Sequence, residues 1–259
     1  MNHPFGTLLD SARSEIKLLL HLLRAQAAIS NLRYLDSSLL LTRASSFLRL
    51  LTKTHGAKAQ STTKPGTLIS WYNYFHATLL AKFTLYWFSV LRQASGRDAE
   101  LLEVAGTEDP CLMMRLIQFK DSTNALSVSL FSDTAPYGQG HGYVLPRTSG
   151  STLTGGESSP FLFTIPQESA LSATDVHIIQ TLINDSVNVS ERDGWNLLLH
   201  SFEEKVNRTY VVQKLETSVF LAIVYNGYRA RKDRRILTFL QSLSHVVQLQ
   251  SVATFLRPH

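Results

Sequence analysis

Apolar residues recur at three- and four-residue steps through the first third of the chain, which is the spacing of an amphipathic helix. The first such pattern runs from about residue 8 to 32. Asp36-Ser37-Ser38 then offers side-chain oxygens that can cap a second helix over about 37–53. A third pattern, rich in aromatic residues, opens at Thr67 and runs to about Gln93. A polar loop over 55–66 separates the last two helices. The first stripe consists of Leu8, Leu9, Ala12, Ile16, Leu19, Leu20, Leu23 and Ala27.

After an acidic connection over 96–109, for which we predict a short helix at 99–104, the pattern changes. Pro110 can start a helix that continues to Lys120. Leu126 to Leu130 then alternates with period two, which predicts a strand with one solvent-facing side. Residues 161–165 and 176–179 are further predicted strands, and a long Gly/Ser/Thr/Pro-rich loop covers 134–159.

The last quarter of the chain predicts a helix, a hairpin and a final helix. Ser190-Glu191 is placed as the cap of a helix that runs to about Val206. Residues 209–215 and 219–225 form the hairpin, and the unbroken apolar run from Val219 to Val224 is typical of a central strand. The final helix covers about 232–248.

These patterns predict the α+β class. We expect an N-terminal α-helical domain over residues 1–96, shaped as a partial bundle. Residues 97–259 then form an α/β domain with a mostly antiparallel sheet flanked by helices, in a roadblock/longin-like order. Strands that follow one another without a crossover helix pair mostly antiparallel.

Charge divides the chain at the same boundary. The net charge is +5, but residues 1–96 hold 11 Lys/Arg against 3 Asp/Glu, whereas residues 97–259 hold 14 against 17. The polar residues Asn73, His76 and Lys82 interrupt the aromatic helix, so we expect no transmembrane insertion. A single cysteine, Cys111, excludes an intrachain disulfide and a cysteine-rich zinc site. We therefore expect a cytoplasmic protein without a metal or cofactor.

Two short clusters are candidate interaction sites. Gly140, His141, Gly142 and Tyr143 form a glycine-rich segment, but Pro146 follows where a phosphate-binding loop needs a helix, so a tight loop is the simpler interpretation. The second cluster is the only dense basic run. A solvated loop is its simplest interpretation, ahead of a contact with a protein or acidic lipid, and nucleic acid comes last. The run consists of Arg229, Arg231, Lys232, Arg234 and Arg235.

Several short segments stand in a characteristic order along the chain, beginning at Asn2-His3-Pro4. They are Leu20–Gln26, Leu79–Phe83, Gln139–Tyr143, Thr209-Tyr210, Phe239-Leu240 and Phe255–Pro258. Together these segments resemble the family of KICSTOR subunit 2, while 144–205 matches weakly.

The resemblance implies a non-enzymatic scaffold with no catalytic residues, acting at the lysosomal surface. There the KICSTOR complex would bring GATOR1 to the Rag GTPases, so that nutrient shortage inhibits mTORC1. The implied partners are kaptin, the integrin-alpha FG-GAP repeat protein and the large seizure-threshold protein.

Members of that family carry a helical region before the point that matches Asn2, and this chain begins there. We therefore expect the apolar faces of helices 8–33 and 67–94 to be completed by a partner or by self-association. Without the resemblance, the order of elements favours a roadblock- or longin-like adaptor in small-GTPase regulation or membrane trafficking. A third class, a small hydrolase, would have to use Cys111 or His141.

Overall fold

The structure is a computed structural model, and it describes residues 4–56, 67–95, 111–132, 161–166, 171–189 and 197–255. The basic half is helical, as predicted. Helix α1 covers Pro4–Ser30 and α2 covers Tyr34–Gly56; α3 (Thr67–Tyr86) and α4 (Phe88–Ser95) follow. The predicted loop at 55–66 lies mostly outside the described residues, as does the short helix predicted at 99–104.

Two helix boundaries differ from the prediction for local reasons. Helix α2 begins at Tyr34, because Ser37 does not cap it: the Ser37 hydroxyl donates to the carbonyls of Arg33 (2.7 Å) and Tyr34 (2.8 Å). The aromatic helix divides at Trp87. Backbone bonds still run from Trp87 N to Phe83 O and from Leu91 N to Trp87 O, so the division is a local irregularity in one helical path.

The second half supplies five strands. Helix α5 (Leu112–Thr123) leads into β1 (Ser127–Ser132) and β2 (Phe161–Ile165). Helix α6 (Ala173–Val189) then precedes β3 (Leu198–Glu203), β4 (Arg208–Glu216) and β5 (Val219–Asn226), and α7 (Arg234–Val247) and α8 (Gln250–Phe255) close the chain.

These strands form one sheet in the order β2-β1-β5-β4-β3, with every neighbouring pair antiparallel. The α+β class is thereby confirmed. The hairpin prediction is also correct, and β5 is the central strand.

The strand predicted at 176–179 is wrong, since those residues lie within α6. Ser172 and Asp175 form a reciprocal cap: the Asp175 amide donates to the Ser172 hydroxyl (3.2 Å), and the Ser172 amide donates to the Asp175 carboxylate (3.0 Å). Ile179 and Ile183, four residues apart, are both buried, which is helical rather than strand spacing.

The helix predicted from Ser190 to Val206 is also wrong. Residues 198–203 form β3, which pairs with β4 in a register that places Leu199 opposite Val212. Asn207 adopts a left-handed backbone conformation (φ 50°) in the turn that joins these strands. Tertiary pairing therefore outweighs the helical spacing of the leucines. Ser190 and Trp195 lie outside the described residues.

The solvent-facing side predicted for β1 does not exist, because helices cover both faces of the sheet. Along β1, Val128 and Leu130 enter a large core shared with α1, α2, α3, α5 and α7, while Phe131 points to the opposite face. On that opposite face, Ile179 and Ile183 of α6 pack on the sheet. The N-terminal helices thus share one continuous apolar core with one face of the sheet.

Candidate interaction surfaces and a buried polar junction

Helix α1 is apolar on two sides. Its buried side holds Leu18, Leu22 and Ile29 and faces the shared core. Ile16, on the other side, is 67% exposed. The stripe identified in the sequence is therefore largely the solvent-facing one. We use the term exposed α1 stripe for its four large exposed residues, Leu9, Ile16, Leu20 and Leu23.

Helix α2 repeats this arrangement. Leu41, Leu48 and Leu51 are buried, whereas the exposed positions include Leu35 (72% exposed) and two further leucines, Leu39 and Leu50. Exposed leucines at these intervals share one face of a helix. Scattered single apolar residues are normal on a protein surface, but two helical stripes are characteristic of a binding surface.

Helix α3 differs from α1 and α2 because most of its apolar side chains are covered within the chain. Tyr72, Phe75, Leu79 and Phe83 are buried, and Leu68 is the large exposed apolar residue of its first turn. Two helical faces were expected to need a partner. The apolar face of α1 is exposed to solvent, whereas the apolar face of α3 is mostly covered by other parts of this chain.

A buried polar junction joins α1 and α3 to the end of β4. The Lys82 ammonium forms an ion pair with the Glu216 carboxylate, to which the Tyr86 hydroxyl donates at 2.8 Å. Ser30 Oγ donates to the same carboxylate at 3.0 Å, and Lys82 Nζ also donates to the side-chain oxygen of Gln26 at 3.2 Å. Lys82 is 0% exposed. A cavity of about 420 Å³, lined by Gln26, Ser30 and Glu216 among others, adjoins this junction.

The junction shifts the titration of its members. Burial lowers the pKa of Lys82 because the charged ammonium loses its hydration, and the Glu216 carboxylate opposes part of that shift. Burial, followed by the nearby carboxylate, raises the pKa of Tyr86 well above its ordinary value. Both carboxylate oxygens accept bonds from donors in helices, so the arrangement holds helices on a sheet.

A second buried ion pair lies on the opposite face of the sheet. Asp175, 1% exposed, pairs with Arg208 and accepts a hydrogen bond from the Tyr210 hydroxyl at 2.6 Å. Burial alone would raise the pKa of Asp175, but bonds from Arg208, Ser172 and Tyr210 outweigh it and hold that pKa below its ordinary value. This contact fixes the N-terminus of α6 to β4.

The basic run lies between β5 and α7, and its members differ in role. Arg229 is held in place: its amide donates to Thr209 Oγ1 (2.9 Å), and its guanidinium donates to the Thr123 carbonyl (3.2 Å). Asp233 caps α7 by accepting from the Arg235 amide at 2.9 Å. The other cations are exposed and form no ion pair within the described residues; these are Arg231, Lys232, Arg234 and Arg235.

Two further residues with potentially reactive side chains, Cys111 and His21, lie within the described ranges. Cys111 is half-buried at the residue before α5, and it makes no side-chain capping bond there. His21 stacks on Phe47 at 5.4 Å between ring centroids, which makes it a packing residue. Within the described ranges, no group of three or more His, Cys, Asp and Glu side chains is placed to hold a metal ion. Gly140, His141, Gly142 and Tyr143 lie outside those ranges.

Sequence reasoning missed both buried ion pairs. Lys82 was used only as evidence against a membrane span, although a lysine within an aromatic helix requires a buried partner. Its partner is 134 positions away, and nothing local identifies it. Asp175 did carry a local signal, because the spacing of Ser172-Ala-Thr-Asp175 matches a capping box closed by a carboxylate. Of the helices in the described part of the chain, none is long and apolar enough to cross a membrane.

Comparison with known proteins agrees with the motifs identified in the sequence. The chain is 28% identical to KICSTOR subunit 2 of Danio rerio over 272 aligned residues, and 25% identical to KICSTOR subunit 2 of Xenopus laevis over the same length. Each alignment covers 99% of this chain but 60% of the relative, so the chain spans about three-fifths of the length of these relatives. A family model described as KICSTOR complex C12orf66 like matches residues 1–259. The chain therefore belongs to the KICSTOR complex C12orf66-like family.

Proposed function

We propose that this chain acts as a non-enzymatic scaffold subunit of a KICSTOR-type complex, which helps to recruit GATOR1 to the lysosomal surface and so restrains mTORC1 when amino acids or glucose are short. The family match over the whole chain is the observation that carries this proposal. The partners would be kaptin, the integrin-alpha FG-GAP repeat protein and the seizure-threshold protein, with GATOR1. The chain itself would be cytoplasmic and peripheral at the membrane.

The exposed α1 stripe supports a binding role in physical terms. Four large aliphatic side chains are about half exposed on one helical face, and covering the exposed part of each would contribute roughly 1 kcal/mol before the costs of association. Such a face suits a helix or groove of a partner subunit. Self-association through the same face is the alternative occupant. We also propose that the chain is organised as an N-terminal helical unit, residues 1–96, followed by a second unit, residues 97–259.

Co-purification from cells tests the proposal. The tagged chain should bring down the other KICSTOR subunits and GATOR1. The double variant Ile16→Lys with Leu23→Glu, which leaves the net charge unchanged, should lose at least one of these subunits. A matched control, Thr42→Lys with Ser46→Glu, changes exposed polar positions of α2 and should retain them all.

Failure of the unaltered chain to bring down any KICSTOR subunit would refute the proposal. Equal recovery by the α1 variant and its control would refute the role of the exposed α1 stripe alone. Light scattering at micromolar concentration measures the mass of the particle and so distinguishes self-association from binding of a different subunit. A monomer with a cooperative thermal melt contradicts self-association.

The topology favours one second candidate, a roadblock/longin-like adaptor in small-GTPase regulation or trafficking. In the described residues the second half runs as a helix, two strands, a helix, three strands and a helix, with strand order β2-β1-β5-β4-β3. This keeps the expected antiparallel sheet flanked by helices, although three strands were expected before the second helix and two after it. Recovery of small GTPases or coat proteins without any KICSTOR subunit would favour this candidate.

A further inference from the structure

An open groove lies between α5 and α7, beside the basic run. Its volume is about 540 Å³. Phe119 and Phe239 form its floor, with ring centroids 3.8 Å apart and planes inclined by 10°. Arg115 stands on the α5 side, and Arg234 and Arg235 stand at the start of α7. The groove thus combines an apolar floor with a cationic rim.

The arginines of the rim lack acidic partners within the described residues. Arg115 donates to Ser242 Oγ at 2.6 Å across the groove and forms no ion pair there. Among nearby carboxylates, Asp233 is engaged in capping α7, and Asp121 pairs with Lys120. Within the described part of the chain, no carboxylate pairs with the guanidinium groups of Arg234 and Arg235.

A smaller hollow of about 190 Å³ extends the groove toward the sheet. Arg235 and Thr123 line both spaces, and Arg229 borders the hollow, with its guanidinium 5.2 Å from the centre of the Tyr225 ring. Guanidinium groups therefore continue from α5 past the start of α7 to the end of β5, with the α7-capping carboxylate of Asp233 also lining the hollow. An extended ligand could contact several guanidinium groups along this path.

We propose that the groove binds an acidic segment of a protein partner, with one apolar side chain of that segment seated over Phe119 and Phe239. Carboxylates on either side of this apolar residue pair with Arg115 and with Arg234 or Arg235. Guanidinium groups match carboxylates through paired N–H donors, so the rim selects for Asp and Glu. This inference deepens the scaffold role proposed above, because it names the chemistry of a segment that the scaffold recognises.

Two other anionic ligands fit the geometry less well. Phe119 and Phe239 already stack on each other, so each ring has one face occupied and the pair makes a poor platform for successive nucleic-acid bases. An acidic membrane surface is flat, whereas these cations surround a depression whose floor is the buried Phe119 and the partly buried Phe239. An apolar floor within a charged rim is instead the usual composition of a protein interface.

Fluorescence anisotropy on the purified full chain tests the inference. The probe is a fluorescein-labelled 12-residue peptide in which Glu and Asp flank a single Leu. We expect saturable binding that weakens as salt increases, with at least about threefold weaker binding when Ser replaces the Leu. A peptide with Lys in place of Glu and Asp should not bind.

Matched charge reversals locate the site. Arg234→Glu with Arg235→Glu should weaken binding about tenfold or more, whereas Arg231→Glu with Lys232→Glu should weaken it less than about threefold, although both pairs change the net charge equally. Glutamate in the first turn of α7 is compatible with the helix dipole, so the first variant should fold. A second pair, Thr238→Glu inside the groove and Gln241→Glu outside it, repeats the comparison with single substitutions.

If the two variants of each matched pair lost equal peptide affinity, the proposed binding site would be wrong, because the effect would then depend on net charge rather than on position. Preferential binding to phosphatidylserine vesicles or to a single-stranded oligonucleotide, with no binding of the acidic peptide, would also overturn it. The peptide assay needs no other subunit. Peptide binding without KICSTOR co-purification would therefore refute the proposed function but not the groove, and the reverse result would refute the groove alone.

Discussion

Lys82 of α3 forms an ion pair with Glu216 at the end of β4, and this contact joins the helical half of the chain to its sheet. The same carboxylate accepts bonds from Tyr86 and from Ser30 of α1. Two helices and a strand therefore meet at one carboxylate. Because breaking a buried pair exposes an uncompensated charge to an apolar surrounding, this junction is the most vulnerable polar contact between the two halves.

Removing one member of this pair should cost far more than removing both. We expect Glu216→Ala to lower the free energy of unfolding by about 3–5 kcal/mol, because Lys82 is left charged and buried. Lys82→Met combined with Glu216→Ala should cost much less than the sum of these two single substitutions. Urea unfolding followed by circular dichroism measures the free energy of unfolding of the unaltered chain, the two single variants and the double variant. Additive losses would show that the two groups do not interact.

The Glu216→Ala variant should also respond to alkaline pH. The pKa of Lys82 is already lowered by burial, and loss of the carboxylate removes the effect that opposes this. Between the folded pKa and the ordinary value of 10.5, the unfolded chain then binds more protons than the folded chain. Stability of this variant should therefore rise as the pH increases above the folded pKa toward 10.5. Unfolding curves that are unchanged over this interval would contradict the prediction.

Asp175 should govern part of the acid sensitivity. Its folded pKa lies below the ordinary value of 3.8, so its contribution to stability is present above that value and is lost as pH falls through the folded pKa. We expect Asp175→Asn to cost roughly 2–4 kcal/mol at neutral pH and to flatten the dependence on pH below about 5. Urea titrations between pH 3 and 7 compare the slopes, and Asp185→Asn, at an exposed position of α6, is the control.

Neighbouring leucines of α1 should differ sharply in their effect on stability. Leu22 is fully buried, so Leu22→Ala should cost about 2–5 kcal/mol. Leu23, 52% exposed, belongs to the exposed α1 stripe, and Leu23→Ala should change stability by no more than about 0.5 kcal/mol. Thermal melts distinguish the two. A large loss in the Leu23 variant would show that this stripe is covered in solution.

Asn124 should tolerate glycine better than alanine. It follows α5 in the left-handed conformation (φ 52°, ψ 39°), where its amide donates to the Asp121 carbonyl and the next amide, of Ala125, donates to the Lys120 carbonyl. Glycine adopts this conformation without strain, whereas a β-carbon opposes it. We expect Asn124→Ala to cost about 1 kcal/mol more than Asn124→Gly. Similar melting temperatures for both variants would contradict this.

Local patterns were enough to predict the class and most of the elements. The helices of the first half, the 161–165 strand and the hairpin around β4 and β5 all have periodicity that agrees with their final environment. The errors arose where local and tertiary preferences disagree. Residues 176–179 resemble a strand but follow a capping box, and residues 198–203 have helical leucine spacing but pair with β4.

The candidate surfaces were predictable only in part. The basic run was visible as a cluster of cations, but its aromatic neighbours, Phe119 and Phe239, lie on helices that are distant in sequence. The α1 stripe was recognised as apolar, yet the second apolar side of that helix decides which stripe is buried. Apolar spacing identifies a face, whereas only packing shows whether the chain itself covers it.

The junction between Lys82 and Glu216 has a consequence for synthesis of the chain. Glu216 is synthesised 134 residues after Lys82. Strand β1 also pairs with β5, which is synthesised much later in the chain. At about 5–20 residues per second, the ribosome takes roughly 7–27 s to cover that distance. During this interval the emerging aromatic helix has a charged lysine without its acceptor and apolar faces without their sheet. Chaperone capture of nascent chains should therefore peak between completion of α3 and emergence of β5.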